Sequence, residues 1–306
     1  MTDPNSTPPS GPTTGDWVTD GGLETDLIFT RGIDLPGFAA YRLLGDTAGR
    51  SVLLDYYAEY AAIAASAAAG LLVETPTWRA SGDWGVALGD DAAALDRANH
   101  AAVDLVREAF ARAEVGRAAV SGCIGPRGDG YVAGTTAADE AAEYHQQQIG
   151  SLADAGADLV HAMTMTTAAE AVGVVRAARA VGVPVAISFT VETDGTLPDG
   201  SPLAAALDAV DAAAAADWYG VNCAHPTHLA AGLDDVRDRL TFLRPNASTM
   251  SHEELDATDT LDSGDIGAVA GGVAALRDRL PGLRVLGGCC GTDSRHVAAM
   301  WGVPSH

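Results

Sequence analysis

AADEAAEYHQQQIGSLADAGADLVHAMTMTTAAEAVGVVRAARAVGVPVAISFT, residues 137–190, is the stretch whose reading decides the fold. Two segments in it, 137–155 and 168–181, are rich in the helix formers Ala, Glu, Gln and Arg, and they run into Gly156 and Gly182, a residue type that commonly ends a helix. Each is followed by a short run rich in Val, Ile and Leu, at 158–164 and 184–190. Helix then short apolar strand, twice over, is the rhythm of βα units wrapped around a parallel sheet.

Worked outward, the rhythm continues in both directions. Strands are expected at 17–20, 70–75 and 118–124 on one side and at 219–223, 240–245 and 284–289 on the other, with helices at 53–69, 92–113 and 202–215. About eight units result, and no linker-like stretch divides the interior. The expected fold class is therefore α/β, a single-domain (β/α)8 TIM barrel over residues 17–306, with an open doubly wound sheet as the runner-up. Residues 1–16, dominated by Pro, Ser, Thr, Gly and Asp, are expected to be a disordered N-terminal tail.

That tail has neither a basic n-region nor an apolar h-region, so no secretory signal is expected. Apolar stretches such as 61–73 are alanine-rich and contain Ser66 and Gly70, which suits a packed helix running into a strand, not a membrane span. The formal charge of −23, from 41 acidic against 18 basic residues, argues against nucleic-acid or anionic-lipid partners and serves solubility. Four cysteines are too few for a disulfide scaffold, and the reducing cytoplasm is the expected compartment.

In a barrel of this kind chemistry gathers where the strands end. The unusual residues of the chain fall there: Asp20-Gly21-Gly22 after the first strand, Glu74-Thr75-Pro76 at the second and Gly125 to Gly130 after the third. Met163-Thr164 closes the fourth, Asn222-Cys223 the sixth, Arg244-Pro245-Asn246 the seventh and Cys289-Cys290 the eighth. Neighbouring side chains on a pleated strand point to opposite faces, so Cys289 and Cys290 can share an ion only if the backbone leaves the pleat, which Gly287, Gly288 and Gly291 permit. Cys223, on an alternate strand, projects into the same side of the mouth.

Three thiolates with a fourth position left for water or substrate make a catalytic zinc site, and a substrate thiol there would ionise well below its usual pKa of about 8.5. Other readings of the spacing are inert core thiols, a strained disulfide, or a closed zinc site completed by His225 or His228. Cys123 reads as a small buried hydrophobe.

Asp20-Gly21-Gly22-Leu23-Glu24-Thr25, Val221-Asn222-Cys223 and Gly287-Gly288-Cys289-Cys290-Gly291-Thr292 together resemble the homocysteine S-methyltransferase family. Intermediate matches at 122–126, 155–159, 199–203 and 245–247 fall in the family's order, so the resemblance covers residues 17–301. It implies a (β/α)8 barrel, one Zn2+ held by Cys223, Cys289 and Cys290, and methyl transfer from S-methylmethionine, S-adenosylmethionine or a betaine to homocysteine, giving methionine. Asp20 matches an acidic residue that helps hold the acceptor, with Gly21 and Gly22 allowing close backbone approach. Thr25, Thr164, Asn222 and Asn246 complete the expected substrate-binding set.

The chain departs from the family at the end of the fourth strand, where a Glu-Thr pair usually receives the amine of homocysteine and Met163-Thr164 stands instead. Methionine accepts no hydrogen bond from an ammonium. Glu74 is the expected substitute, unless it pairs with Arg79 or Arg127, and Trp78 offers an aromatic wall for a cationic donor. Arg127 is expected either to neutralise the acceptor's carboxylate or to bind Asp129. The expected partners are thus a small-molecule thiol acceptor and a methyl donor, with no nucleic acid and no membrane. Alternatives are the same zinc-thiolate chemistry on a different thiol or donor, which Met163 favours, or a non-catalytic zinc or redox sensor.

Overall fold

The computed structural model describes residues 12, 14–258 and 260–305, so residues 1–11 and 13 of the expected tail lie outside the described residues. Eight parallel strands close into a barrel in sequence order: β1 Trp17–Val18, β2 Gly70–Glu74, β3 Ala118–Ile124, β4 Leu159–Met165, β5 Val185–Phe189, β6 Trp218–Asn222, β7 Leu240–Arg244 and β8 Val285–Leu286. The barrel expectation holds, and the open sheet is excluded by the pairing of β1 with β8, Trp17 opposite Val285.

Around it lie helices Thr47–Ser66, Ala92–Arg112, Ala138–Asp154, Ala168–Val181, Leu203–Ala214, Ile266–Arg277 and Ser294–Trp301. Asp46, Asp91, Thr167, Asp265 and Asp293 cap five of them by accepting backbone N–H bonds in the first turn. Between β6 and β7 the helical element shrinks to Pro226–Leu229. No described helix is long and apolar enough to cross a membrane.

The interior is built in layers with the period of two that a pleated strand imposes. Trp17, Leu72, Ala119, Leu159, Ala186, Phe242 and Val285 form one buried apolar cluster, with Trp218 packed against it. Several of these are the first residues of their strands, so this plug closes the N-terminal end. Two residues further along each strand stand Thr19, Glu74, Ser121, His161, Ser188, Gly220, Arg244 and Gly287, and every polar one of them is buried. Two further still come Gly21, Cys123, Met163, Asn222, Asn246 and Cys289, at the C-terminal mouth. The barrel is thus apolar below, polar in its middle and functional at the top.

β1 and β8 are shorter than the expected 17–20 and 284–289. After Leu286 the N–H of Gly288 turns to the Asp20 carbonyl, 2.9 Å away, and that of Cys289 to the Pro245 carbonyl, 2.8 Å away. The two backbones touch here, since a Cβ added at Gly287 would stand 2.4 Å from the Thr19 carbonyl oxygen. Only glycine lets the chain leave the pleat in so little space.

Candidate metal and substrate site

Cys223 lies one residue past β6 with φ of 56°, a left-handed conformation that costs a non-glycine residue about 1 kcal/mol. Its N–H bonds the Arg244 carbonyl at 3.0 Å, and its own carbonyl accepts from Thr190 Oγ1 at 3.3 Å and lies 3.2 Å from His252 Nε2. The strained turn is therefore clamped on both sides. Cys289 and Cys290 sit in a turn closed by Thr292, whose N–H and hydroxyl both donate to the Cys289 carbonyl at 3.1 and 2.7 Å. A Cβ at Gly22 would lie 2.4 Å from that carbonyl oxygen, so the glycine after β1 is what admits the turn.

The result is that the sulfurs of Cys223, Cys289 and Cys290 all lie within 4.8 Å of one another. Three thiolates about 2.3 Å from a tetrahedral zinc stand about 3.8 Å apart, so the cluster fits such an ion. All four cysteines are free thiols in this structure. His225 and His228 do not join: His225 Nδ1 bonds Thr227 Oγ1 at 2.7 Å, and His228 Nε2 lies 3.1 Å from the Thr249 carbonyl. Cys123 is buried outside the cluster, and burial pushes its thiol well up.

The sulfurs compete for negative charge. Hydrogen bonds from Cys223 and Cys290, helped by Arg244 and the Asn222 amide, push Cys289 well below the ordinary thiol range, and the other two rise in consequence. A divalent cation is what allows all three to ionise together. Asn222 also reaches across the barrel: its Oδ1 accepts the Thr164 N–H at 2.7 Å, and its Nδ2 donates to Thr164 Oγ1 at 2.9 Å and lies 3.5 Å from Cys289 Sγ. It thereby holds Thr164 at φ of 61°. Tyr131, from the loop after β3, places its hydroxyl 3.2 Å from Cys223 Sγ and stacks on His252 with ring centroids 4.2 Å apart.

Beneath the sulfurs the middle layer forms a buried charge network. Arg244 donates from Nε to the Gly288 carbonyl, from Nη2 to the Gly21 carbonyl and from Nη1 to Thr19 Oγ1 and Asp20 Oδ1, and Nη1 lies 3.3 Å from Glu74 Oε1. Burial works against its charge, but Asp20 and Glu74 outweigh burial and keep it protonated. Asp20 is pushed up by burial while Arg244 pulls it down, and its Oδ2 accepts from Tyr56 at 3.4 Å. Glu74 Oε1 bonds His161 Nδ1 at 2.7 Å, and His161 Nε2 bonds Ser188 Oγ at 2.7 Å. The expected alternative of Glu74 pairing with Arg79 or Arg127 is thus replaced by His161 and Arg244, while Glu74 Oε2 is buried with no partner among the described residues.

Above the network opens a cavity of about 270 Å³. Every expected substrate-binding residue lines it (Asp20, Gly21, Gly22, Thr25, Glu74, Thr164 and Asn246) except Asn222, which acts from behind Thr164 and Cys289. Thr25 Oγ1 donates to the Gly22 carbonyl at 2.9 Å and accepts the Gly291 N–H at 3.1 Å, and Asn246 Oδ1 accepts the Ser248 N–H, so both shape backbone. Met163 lines the cavity as well.

Neither expected role of Arg127 is met. Its guanidinium is taken by Asp83 and Glu140 outside the cavity, not by Asp129, because those two carboxylates converge on it from separate helices. Segment 247–266, outside residue 259, covers the mouth: Leu255, Asp256, Thr258, Thr260, Leu261 and Asp262 line the cavity, and helix His252–Asp256 is capped by Ser251 and Glu254.

Sequence reasoning placed Arg244 at a strand end without giving it a role, and missed His161, Tyr131 and His252 as site residues. Arg244 and His161 are the two that a barrel interior makes readable, by counting in twos along β7 and β4. Tyr131 and His252 come from loops and carry no such signal.

The sequence model of a family described as Homocysteine S-methyltransferase matches residues 17–302. A curated relative, Homocysteine S-methyltransferase YbgG of Bacillus subtilis (strain 168), is 26% identical over 163 residues, which is 52% of this chain and 50% of that one. A second, Methionine synthase of Mycobacterium leprae (strain TN), is 33% identical over 165 residues, 50% of this chain and 13% of its own. The matched stretch thus spans half or less of these relatives. The crystal structure of the Homocysteine Methyltransferase MmuM from Escherichia coli superposes in its oxidized form with a TM-score of 0.76 at 22% identity, covering 94% of this chain and 96% of that one. Its metallated form gives 0.74 at 23% identity, covering 95% and 96%. These likenesses carry the fold.

Proposed function

The chain belongs to the homocysteine S-methyltransferase family, and on that premise we propose that it is a zinc-dependent S-methyltransferase that moves a methyl group from a sulfonium donor, S-methylmethionine or S-adenosylmethionine, to homocysteine. The observation that carries the reading is the convergence of Cys223, Cys289 and Cys290 at the mouth of the barrel. That one of the similar structures is of a metallated form adds support. A zinc ion held by the three sulfurs supplies Lewis acidity that keeps a substrate thiol ionised and nucleophilic near neutral pH.

The protein's own groups do the rest. Tyr131 and Asn222 direct hydrogen bonds at Cys223 and Cys289 and fix where the sulfurs point. The middle layer beneath them holds charge in place: Arg244 fastens Asp20 and Glu74, and Glu74 keeps Oε2 without a partner. We assign that oxygen the acceptor's ammonium group, the role vacated at Met163. Asp20, Gly21, Gly22, Thr25, Thr164 and Asn246 then shape the acceptor's side of the cavity, with Asn222 supporting them. The cover formed by 247–258 and 260–266 narrows the mouth and limits the access of water, which would otherwise compete for the methyl group.

The purified chain is expected to contain about one zinc per molecule, measured by elemental analysis. Cys290→Ala is expected to lose metal and methyl transfer together. Full activity in a metal-free Cys290→Ala protein would end the proposal.

A further inference from the structure

The cavity holds a second charged position that the acceptor does not use. Two arginines line it. Arg244 has all three nitrogens engaged in the middle layer. Arg79 does not: it is 6% exposed, its Nη1 donates to the Gly128 carbonyl at 2.9 Å, and Nε is buried with no partner. Nη2 makes no hydrogen bond among the described residues. The guanidinium lies over two indoles, with its central carbon 3.8 Å from the Trp78 ring centroid and 3.6 Å from that of Trp84. Trp84 is anchored in turn by donating to the Arg127 carbonyl at 3.0 Å. The aromatic wall expected of Trp78 is thus a seat for an arginine. A guanidinium on a cavity wall whose Nη2 is unbonded can donate to a carboxylate.

Glu24 lines the same cavity, and its carboxylate has no side-chain partner among the described residues. It makes no direct ion pair with Arg79: burial, helped by the Cys289 and Asp20 charges, pushes its carboxyl up to about 7, and Arg79 pulls the other way. Two opposite charges facing one cavity without meeting leave room for a zwitterion between them. Burial lowers Arg79 while Asp129, Glu24 and Tyr144 act to raise it, and Asp20, Glu74 and the cysteines are not among its neighbours; Glu24 does feel Cys289 and Asp20, and so stands between Arg79 and the acceptor's charges. A methyl donor must approach the acceptor sulfur in line, its leaving sulfur on the side away from the metal ligands. Its amino-acid end therefore lies beyond the leaving sulfur, farther from those ligands than the reacting methyl group.

We propose that Arg79 and Glu24 form the recognition site for the methyl donor, Arg79 binding its carboxylate and Glu24 its α-ammonium group. The inference rests on the methyltransferase reading and deepens it: the donor class is an amino acid bearing a sulfonium. A betaine, whose quaternary α-nitrogen has no N–H to donate to Glu24 and is itself the methyl-bearing atom, hydrogen-bonds only Arg79.

The test is equilibrium binding to the full chain with no acceptor thiol present, read by calorimetry and by the emission of the tryptophans. Wild type should bind S-methylmethionine about tenfold or more tightly than its decarboxylated analogue. Arg79→Gln should abolish that difference and leave homocysteine affinity unchanged, and Arg79→Lys should restore only part of it. Glu24→Gln should weaken S-methylmethionine and the decarboxylated amine alike while sparing glycine betaine. Equal affinity of wild type for the two sulfonium compounds would overturn the proposal without any variant. So would a loss in Arg79→Gln that falls on homocysteine as heavily as on the donor. A chain that transfers no methyl would still report this binding, whereas one that transfers methyl and shows no preference keeps its function and loses this site.

Discussion

Arg244 shows what a single residue does in the middle of a barrel. It carries the one guanidinium in contact with Asp20 and Glu74 among the described residues, and all three side chains are buried. Removing it leaves two carboxylates without their cation, and breaking such a buried pair from one side costs about 3–5 kcal/mol. Arg244→Met is therefore expected to lower unfolding stability by about that amount in urea titrations; an unchanged midpoint would mean that His161 alone compensates both acids. The family motifs on either side of this residue were legible in the sequence, but its own importance was not. Arg244 stands beside Pro245 and Asn246 and reads as the end of a strand. Its partners come from residues 19–21, 74 and 288, and a charge's partners are a property of the closed barrel.

At the scale of elements, strand positions were readable to within a residue or two wherever the strand is long. β3 begins and ends at 118 and 124 as expected, and helix Ala168–Val181 likewise matches. Legibility failed at β1 and β8, where backbone contact replaces side-chain patterning, and in 247–266, where polar composition says nothing of order. That segment is tied down by His252, which lies 2.9 Å from Glu192 Oε1, 3.2 Å from Thr190 Oγ1 and 3.2 Å from the Cys223 carbonyl, and which stacks on Tyr131. His252→Ala is expected to raise amide hydrogen exchange across 251–257 and to speed zinc loss to a chelator, because the same ring supports the turn of Cys223. Unchanged exchange would show that the cap of Ser251 and Glu254 holds the cover by itself.

For the whole molecule the decisive quantity is charge. The chain has 41 acidic and 18 basic residues, every one of the latter an arginine, so acids outnumber bases more than two to one even though many arginines are paired at the surface. Self-repulsion should outweigh the small gain from exposed pairs. Raising monovalent salt from about 0.01 M to about 1 M, which shortens the screening length from about 30 to about 3 Å, is expected to raise the melting temperature. A fall would show that the surface pairs act as a network.

The seam between β1 and β8 has a consequence in time. Cys223 is made before β7, yet its two companions arrive only with the stretch that follows β8, and in the closed barrel the tight backbone contact at Gly22 admits the turn that holds them. No ribosome-bound intermediate lacking β8 can present three thiols to an ion. Metal capture is thus deferred until closure, and a nascent chain offers scavenging cations at most one ligand of the set.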